Sequence, residues 1–142
     1  VILSKMSRIL ALDYGTKRTG IAVTDPLQLI ASGLCTVNTP ELMTFLQQYL
    51  SEESVACVVL GAPRRWDNTT GPIEDEIQAF IQRFQSLFPL MPLDRQDERF
   101  TSMMAQQAMI DGGLKKAKRQ DKALVDQISA TLILQSYLTK KR

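Results

Sequence analysis

Histidine is absent from this 142-residue sequence, and cysteine and tryptophan are scarce. Without histidine the chain cannot use a Ser-His-Asp triad, imidazole acid–base catalysis or a His-ligated zinc site. Its two cysteines, Cys35 and Cys57, lie in separate apolar segments with no partner at metal-binding spacing, so we expect small core residues of a reducing compartment. Any hydrolytic chemistry must therefore depend on carboxylates, hydroxyls, lysine or a metal ion held by oxygen ligands.

Long apolar runs are also missing, and none approaches the length of a membrane span. Hydrophobic residues make up 44% and charged residues 23% of the chain, which is ordinary for a globular domain. The first residues lack the pattern of a signal peptide. We therefore expect one cytoplasmic domain over residues 1–142 that does not contact a membrane, with residues 1–7 as a candidate disordered extension.

The apolar segments that are present predict an α/β fold with five strands. A continuous apolar run ends at Asp13, which is typical of a central strand buried on both faces. Residues 19–24 and 30–37 predict two further strands that form an antiparallel meander with the first. Residues 55–60 and 90–98 follow helical segments, so they are expected to lie parallel to the first strand. The predicted architecture is a mixed sheet of three antiparallel and two parallel strands, flanked by helices.

The helices are predicted by their start signals and apolar stripes. Thr39 before Pro40 indicates the N-cap of the first helix, and Asp121 indicates the N-cap of the last one. A pair of glycines after Ile110 is a typical helix end. We expect helices from Thr39, from Pro72, over 101–110 and over 121–138.

Three acidic positions are placed where they can converge. Asp13 ends the first strand, and Asp97-Glu98 ends the last one, so parallel strands bring them to one edge of the sheet. Asp126 shares a helical stripe with Ala130 and Ile133, so it faces inward or into a cleft and needs a cation or donors there. Oxygen ligands without histidine or cysteine suit Mg²⁺ or Mn²⁺, and two such ions can promote phosphodiester hydrolysis.

Several sequence motifs, in this order and spacing, resemble one known family. That family is the Holliday-junction-resolvase-like, pre-16S rRNA nuclease family (YqgF), and the resemblance spans residues 8–138. The motifs are Asp13-Tyr-Gly-Thr-Lys-Arg-Thr-Gly-Ile-Ala-Val, Gly61-Ala-Pro63, Asp97-Glu-Arg-Phe-Thr101, Gly112-Gly113, and Lys122-Ala-Leu-Val-Asp126 followed by Ile128-Ser-Ala. One departure is the strand before Asp97, which is usually apolar in the family but contains Asp94, Arg95 and Gln96 here.

The resemblance implies an RNase H-like fold and a bacterial cytoplasmic nuclease acting on structured RNA. It implies that Asp13, Glu98 and Asp126 are the catalytic residues and the ligands of Mg²⁺ or Mn²⁺. The expected substrate is the rRNA precursor, processed at the 5′ end of 16S rRNA, with ribosome-assembly proteins as further partners. A Holliday-junction resolvase is the alternative, and both monomer and homodimer remain open.

Basic residues around these acids are expected to bind nucleic-acid phosphates without reading sequence. The net charge of +2 alone does not require such a partner, but the positive charges are clustered near the acids. Trp66, in the same region, could stack on a base or pack onto the domain. The candidate residues are Lys17, Arg18, Arg64, Arg65, Arg99, Lys115, Lys116, Lys118, Arg119 and Lys122.

Two other classes of protein remain open on these motifs. Asp-x-Gly-Thr after a strand also opens the phosphate loop of actin-like and sugar-kinase ATPases. Those proteins close two domains of this kind around a nucleotide, whereas this length supplies one domain. The second class is an RNase H-like module that binds RNA or a ribosome-assembly partner without turnover, and the presence of all three acids argues against it.

Overall fold

The computed structural model describes residues 7–63, 71–98, 107 and 121–141, and it contains the five-stranded mixed sheet predicted above. Strands β1 and β2 pair antiparallel, as do β2 and β3, whereas β4 pairs parallel to β1 and β5 parallel to β4. Across the sheet the order is β3-β2-β1-β4-β5, so β1 is central. The strands are β1 (Arg8–Tyr14), β2 (Arg18–Thr24), β3 (Ala31–Asn38), β4 (Val55–Ala62) and β5 (Leu93–Asp97).

The described helices lie where the sequence predicts them. They are α1 (Leu42–Glu52), α2 (Ile73–Leu87) and α3 (Lys122–Lys141). Asp121 caps α3, because its Oδ1 accepts hydrogen bonds from the backbone N–H groups of Ala123 and Leu124 at 3.1 and 3.3 Å. The helix predicted over 101–110 and the loop 64–70 fall outside the described residues, apart from Gln107, which is helical.

Two elements begin three residues later than predicted. Thr39 does not cap α1, because Thr39–Glu41 forms a 3-10 turn. The hydroxyl of Thr39 donates instead to the carbonyl of Gly15 at 2.6 Å. Strand β5 begins at Leu93 rather than at residue 90, because the N–H of Met91 bonds to the carbonyl of Phe88 and closes a turn there. In the first place a tertiary contact uses the hydroxyl that the pattern assigned to a cap, and in the second a local turn uses backbone that the pattern assigned to a strand.

The sheet is covered on both faces, which explains the continuous apolar run in β1. Helices α1 and α2 pack on one face, where the buried cluster includes Leu10, Leu12, Phe80 and Phe84. Helix α3 packs on the other face, where the residues are smaller and include Ala11, Ala22 and Ala130. None of the helices in the described part of the chain is long and apolar enough to span a membrane.

Strand β5 is polar because it is an edge strand with partners on both of its faces. On the α3 face, Asp94 accepts a hydrogen bond from the hydroxyl of Tyr137 at 2.6 Å. On the α2 face, both terminal nitrogens of Arg95 donate to the carboxylate of Glu74, at 3.0 and 3.1 Å. These pairs give Asp94 and Arg95 specific partners, whereas the buried Oε1 of Gln96 has no hydrogen-bond partner among the described residues.

Candidate active site

Asp13 lies near the end of the central strand, between two glycines on the neighbouring strands. It pairs with Gly20 of β2, and because Leu12 pairs with Leu60, the next position of β4 beside it is Gly61. Side chains alternate along a strand, so Asp13 shares the α3 face with Ala11. We call Gly20, Asp13 and Gly61 the glycine row.

Gly20 allows the backbone of α3 to rest directly on the sheet. A Cβ atom at this position would overlap the carbonyl oxygen of Asp126 and lie 3.0 Å from its Cβ atom. No real side chain tolerates such a contact with helix backbone. The missing side chain therefore brings Asp126 beside Asp13.

Gly61 provides the space for Glu98 on the other side of Asp13. A Cβ atom on Gly61 would overlap the carboxyl oxygen Oε2 of Glu98 and lie 2.9 Å from Cδ1 of Ile133. The backbone N–H of Glu98 donates to the carbonyl of Ala62 at 3.2 Å, which fixes the residue just beyond β5. The carboxyl group of Glu98 thus lies over the glycine row from the β4 side.

The carboxyl groups of Asp13 and Glu98 form a buried, hydrogen-bonded pair. Burial is the main cause that raises the pKa of Asp13 to about 6, opposed by the hydrogen bond from Glu98 and reinforced by the charge of Asp126. Burial also raises the pKa of Glu98 to about 9, with the charge of Asp13 and the hydrogen bond to it as further causes. Both shifts favour retention of a proton by the pair, which its mutual hydrogen bond accommodates.

Asp126 has a different partner in the structure. Its Oδ2 accepts a hydrogen bond from Nε of Arg18 at 2.8 Å, with the two side chains 22% and 35% exposed. Arg18 begins β2, two residues before Gly20, so it reaches Asp126 from the strand on which α3 rests. The sequence prediction assigned Arg18 to nucleic-acid phosphates, and the structure shows that its guanidinium group is already engaged by an acid.

Within the residues that the structure describes, no three His, Cys, Asp or Glu side chains are already spaced to hold a metal ion. The donor set nevertheless fits a hard divalent cation, because it consists of carboxylate oxygens in a desolvated position. The carboxyl groups of Asp13 and Glu98 are in contact, and their raised pKa values favour retention of a proton. The third is neutralised by Arg18. A divalent cation would bind all three carboxyl groups once the Asp13–Glu98 pair lost its proton and the guanidinium group of Arg18 moved away from Asp126.

The described basic candidates surround this edge of the sheet. Lys17 is exposed in the turn between β1 and β2, next to Arg18. Lys122 is exposed at the start of α3, one turn before Asp126. The other candidates lie outside the described residues, as does Trp66; they are Arg64, Arg65, Arg99, Lys115, Lys116, Lys118 and Arg119.

Sequence reasoning missed three parts of the site. The prediction includes Gly20 and Gly61 only as parts of motifs, although both are needed for close packing. A glycine inside a strand pattern is a recognised signal of close approach by backbone or ligand, and it could have identified both. The pairing of Arg18 with Asp126, 108 residues apart, has no sequence signal.

Comparison with solved structures identifies the class of fold. The chain resembles Thermus thermophilus RuvC in complex with a Holliday junction substrate, with a TM-score of 0.57 and 14% identity over 95% of this chain and 96% of that one. A second Thermus thermophilus RuvC structure matches with a TM-score of 0.51 and 13% identity, covering 94% of this chain and 96% of that one. The fold is therefore that of RuvC, an RNase H-like fold, as the sequence predicted.

Sequence comparison identifies the family. The family model RuvX, described as Holliday junction resolvase, matches residues 7–140. A protein of Christiangramia forsetii named "Putative pre-16S rRNA nuclease" is 63% identical over 133 residues, covering 94% of this chain and 98% of that protein. A Flavobacterium psychrophilum protein of the same name is 53% identical over 136 residues, covering 96% and 99%. The chain belongs to the RuvX family.

Proposed function

We propose that this protein is a cytoplasmic nuclease that hydrolyses phosphodiester bonds in structured nucleic acid and processes the 5′ end of pre-16S rRNA. The observation that carries the proposal is the convergence of Asp13, Glu98 and Asp126 at the glycine row. These acids come from three distant parts of the chain, and two glycines are kept free of side chains to let them meet. The names of the relatives support rRNA processing as the cellular role.

Asp13, Glu98 and Asp126 would hold Mg²⁺ or Mn²⁺, since both ions prefer carboxylate oxygens. When bound, such ions activate a water molecule and stabilise the leaving oxygen in phosphodiester hydrolysis. The residues of the chain provide the charge that retains the ions. To hold the ions, the Asp13–Glu98 pair would lose its proton to solvent, and Asp126 would leave its hydrogen bond to Arg18 and contribute its carboxylate to the metal site.

Arg18 then has a role in the substrate complex. Its guanidinium lies beside the acids, and the part released from Asp126 can donate to a phosphate of the bound strand. Lys17 and Lys122 are exposed on either side, where they can add salt-dependent contacts to neighbouring phosphates. The same groups offer no base-specific readout, so we expect recognition of strand shape rather than sequence.

The decisive experiment compares cleavage of a 5′-extended 16S rRNA precursor and a four-way DNA junction. Wild-type protein is assayed with Mg²⁺, with Mn²⁺ and with EDTA. The test variants are Asp13→Asn and Asp126→Asn, and the matched control is Asp121→Asn, which keeps a good N-cap on the same helix. We expect metal-dependent cleavage of the precursor that both test variants abolish while RNA binding and the control remain intact.

Cleavage that survives Asp13→Asn would contradict the proposal and indicate another site or a contaminating nuclease. Binding of RNA without turnover by wild-type protein would instead support a non-catalytic module that serves ribosome assembly. Either result is clear because the control variant shows that the preparation is folded and comparable.

Holliday-junction resolution is the second candidate, favoured by the family description and by the RuvC fold. Cleavage of a four-way junction at paired positions requires two active sites, and hence a homodimer on the DNA. Preferential, symmetric cleavage of the junction together with a dimer in sedimentation would favour this function. Preferential cleavage of the precursor by a monomer would favour rRNA processing.

A further inference from the structure

The next position across the sheet after the glycine row is Gln96, on the edge strand β5. Gln96 pairs with Gly61 of β4, which lies beside Asp13 of β1. The preceding residue, Arg95, contacts Glu74 of α2, so the alternation of side chains places Gln96 on the α3 face together with Asp13. On this face only a glycine, which has no side chain, separates the two residues.

The carboxamide oxygen of Gln96 is buried and has no partner. Its Oε1 accepts no hydrogen bond from any residue that the structure describes. The two preceding polar residues of β5 do have partners, since Asp94 bonds to Tyr137 and Arg95 to Glu74. Buried polar atoms in folded proteins nearly always have a partner, and an unpaired one beside a functional site is a signal of a bound group.

Two hydrogen-bond donors on the α3 face near β5 are already used. The carboxyl group of Glu98, which lies over Gly61, is hydrogen-bonded to Asp13. The hydroxyl of Tyr137 donates to Asp94 at 2.6 Å. The missing partner of Oε1 is therefore not supplied by these neighbours.

The chemistry around Gln96 favours a cation as that partner. An ionised carboxylate only accepts hydrogen bonds, and so does a carboxamide oxygen. Asp13, Glu98 and the Oε1 atom of Gln96 thus form a set of oxygen acceptors, and a hard divalent cation can bind such oxygens together. Oε1 is also closed to solvent, which suits a small ion better than the backbone of a nucleic-acid strand.

We propose that Gln96 is a further ligand residue of the metal site and contributes its carboxamide oxygen next to the carboxylates of Asp13 and Glu98. The inference rests on the proposed metal-dependent nuclease function. A neutral oxygen adds to the coordination of the ion without adding negative charge. The site therefore gains affinity for the ion without further repulsion among the acids.

The first test measures Mn²⁺ binding by calorimetry in Gln96→Met and Gln96→Glu. Methionine keeps the length of the side chain without its oxygen, and glutamate replaces the neutral oxygen with a charged one. We expect Gln96→Met to weaken Mn²⁺ binding about tenfold and Gln96→Glu to tighten it about threefold. Gln135→Glu is the matched control, because it adds the same charge at an exposed glutamine of α3. It should change the affinity by less than about twofold.

The opposite signs of the two effects are the readout that a structural role would not produce. Weaker Mn²⁺ binding in both variants would overturn the inference, since it would show that any substitution of Gln96 disturbs the acids. Unchanged Mn²⁺ affinity in both variants would also overturn it.

The second test measures thermal unfolding of the metal-free protein. Gln96→Met removes an unpaired buried oxygen, so its Tm should rise by about 3 °C. At a fixed Mn²⁺ concentration the ion should stabilise this variant less than the wild type, because it binds more weakly. A lower Tm of the metal-free variant with unchanged Mn²⁺ affinity would show that Gln96 has a partner within the chain, and it would overturn the inference.

These outcomes also separate the ligand role from the proposed function. Tighter Mn²⁺ binding in Gln96→Glu, with metal-dependent cleavage by wild-type protein, supports both proposals. The same binding results in a protein that cleaves neither precursor nor junction support the ligand role and overturn the nuclease. Metal-dependent cleavage by wild-type protein, with unchanged Mn²⁺ affinity in both Gln96 variants, overturns the ligand role alone.

Discussion

The two faces of the sheet are packed with side chains of different size. We infer that the face with large side chains mainly stabilises the fold, whereas the face with small ones positions the candidate catalytic acids. The α1–α2 face is filled by large residues such as Phe80 and Phe84. The α3 face uses alanines at Ala11, Ala22 and Ala130 and ends in the glycine row. Large side chains hold helices at a distance, whereas small ones let the helix backbone approach the sheet.

Close approach is what the acids require. Asp126 belongs to a helix, and a short carboxylate can meet Asp13 only if its backbone lies almost on the strands. The other face contains the larger of the two buried apolar clusters and none of the three acids. The α3 face tolerates less displacement, because its geometry places the three candidate catalytic carboxyl groups. Substitutions on the two faces should therefore have different consequences.

The largest effect on cleavage is expected for Gly20→Ala, which disrupts the packing of the α3 face. The added Cβ overlaps backbone of α3 rather than a movable side chain, so the helix must shift away from Asp13. We expect cleavage to fall by at least about 100-fold and the free energy of unfolding to drop by about 3 kcal/mol. Cleavage kinetics and urea denaturation measure the two effects.

Gly33→Ala is the matched control, because Gly33 lies under the same helix. A Cβ atom there would be 3.4 Å from the side chain of Gln127, a contact at the limit of ordinary van der Waals distance. We expect nearly normal activity. Equal losses in both variants would show that any added volume under α3 is harmful and that the glycine row has no special role.

The second prediction concerns stability: Phe84→Ala creates a cavity in the core of the α1–α2 face. Phe84 is fully buried, so we expect a loss of about 3–5 kcal/mol in the free energy of unfolding, measured with urea. Cleavage per folded molecule should change by less than about twofold, since the acids lie on the other face. A loss of activity as large as that of Gly20→Ala would contradict the separation of the two faces.

The third effect is a pH dependence of stability that a metal should remove. The pKa values of Asp13 and Glu98 are raised in the folded state, so between their unfolded and folded pKa values the folded protein binds more protons than the unfolded chain. If only this pair is considered, the free energy of unfolding of the metal-free protein should therefore be highest near pH 4. It should fall as the pH rises towards about 9.

Thermal unfolding from pH 5 to pH 9, with and without Mn²⁺, measures this dependence. We expect the stabilisation by Mn²⁺ to grow with pH, because the ion replaces the missing protons. The double variant Asp13→Asn with Glu98→Gln should show neither the decline nor the stabilisation. A metal effect that is independent of pH in wild-type protein would argue against these carboxyl groups as ligands.

The smallest effect is expected for Arg18→Gln, which tests how Arg18 acts on Asp126 at the α3 face. Arg18 occupies Asp126 in the structure, so its removal frees a carboxylate and should tighten Mn²⁺ binding about threefold to tenfold, measured by calorimetry. Lys17→Gln removes the adjacent charge, which forms no ion pair with any residue the structure describes; it is the control and should change Mn²⁺ affinity less. Weaker Mn²⁺ binding in Arg18→Gln would show that Arg18 positions Asp126 for the ion instead of competing with it.

Much of the fold could be predicted because the relevant signals are local. The apolar run before Asp13 and the stripe through Ala130 and Ile133 reflect burial that repeats with the period of each element, and both occur in the structure. Asp121 was recognised as a cap because capping involves only the next few residues. Thr39 was misassigned because its hydroxyl forms a bond to Gly15, 24 residues away.

The sequence by itself determined the order of the elements, the direction of the strands and the identity of the three acids as candidates. Only the tertiary structure decided that Gly20 and Gly61 make room for Asp126 and Glu98, and that Arg18 holds Asp126. The physical reason is the separation along the chain over which each interaction acts. Periodicity and capping act between near neighbours in the chain, whereas steric exclusion and ion pairing at a site join residues that are brought together only when the sheet and its helices have packed.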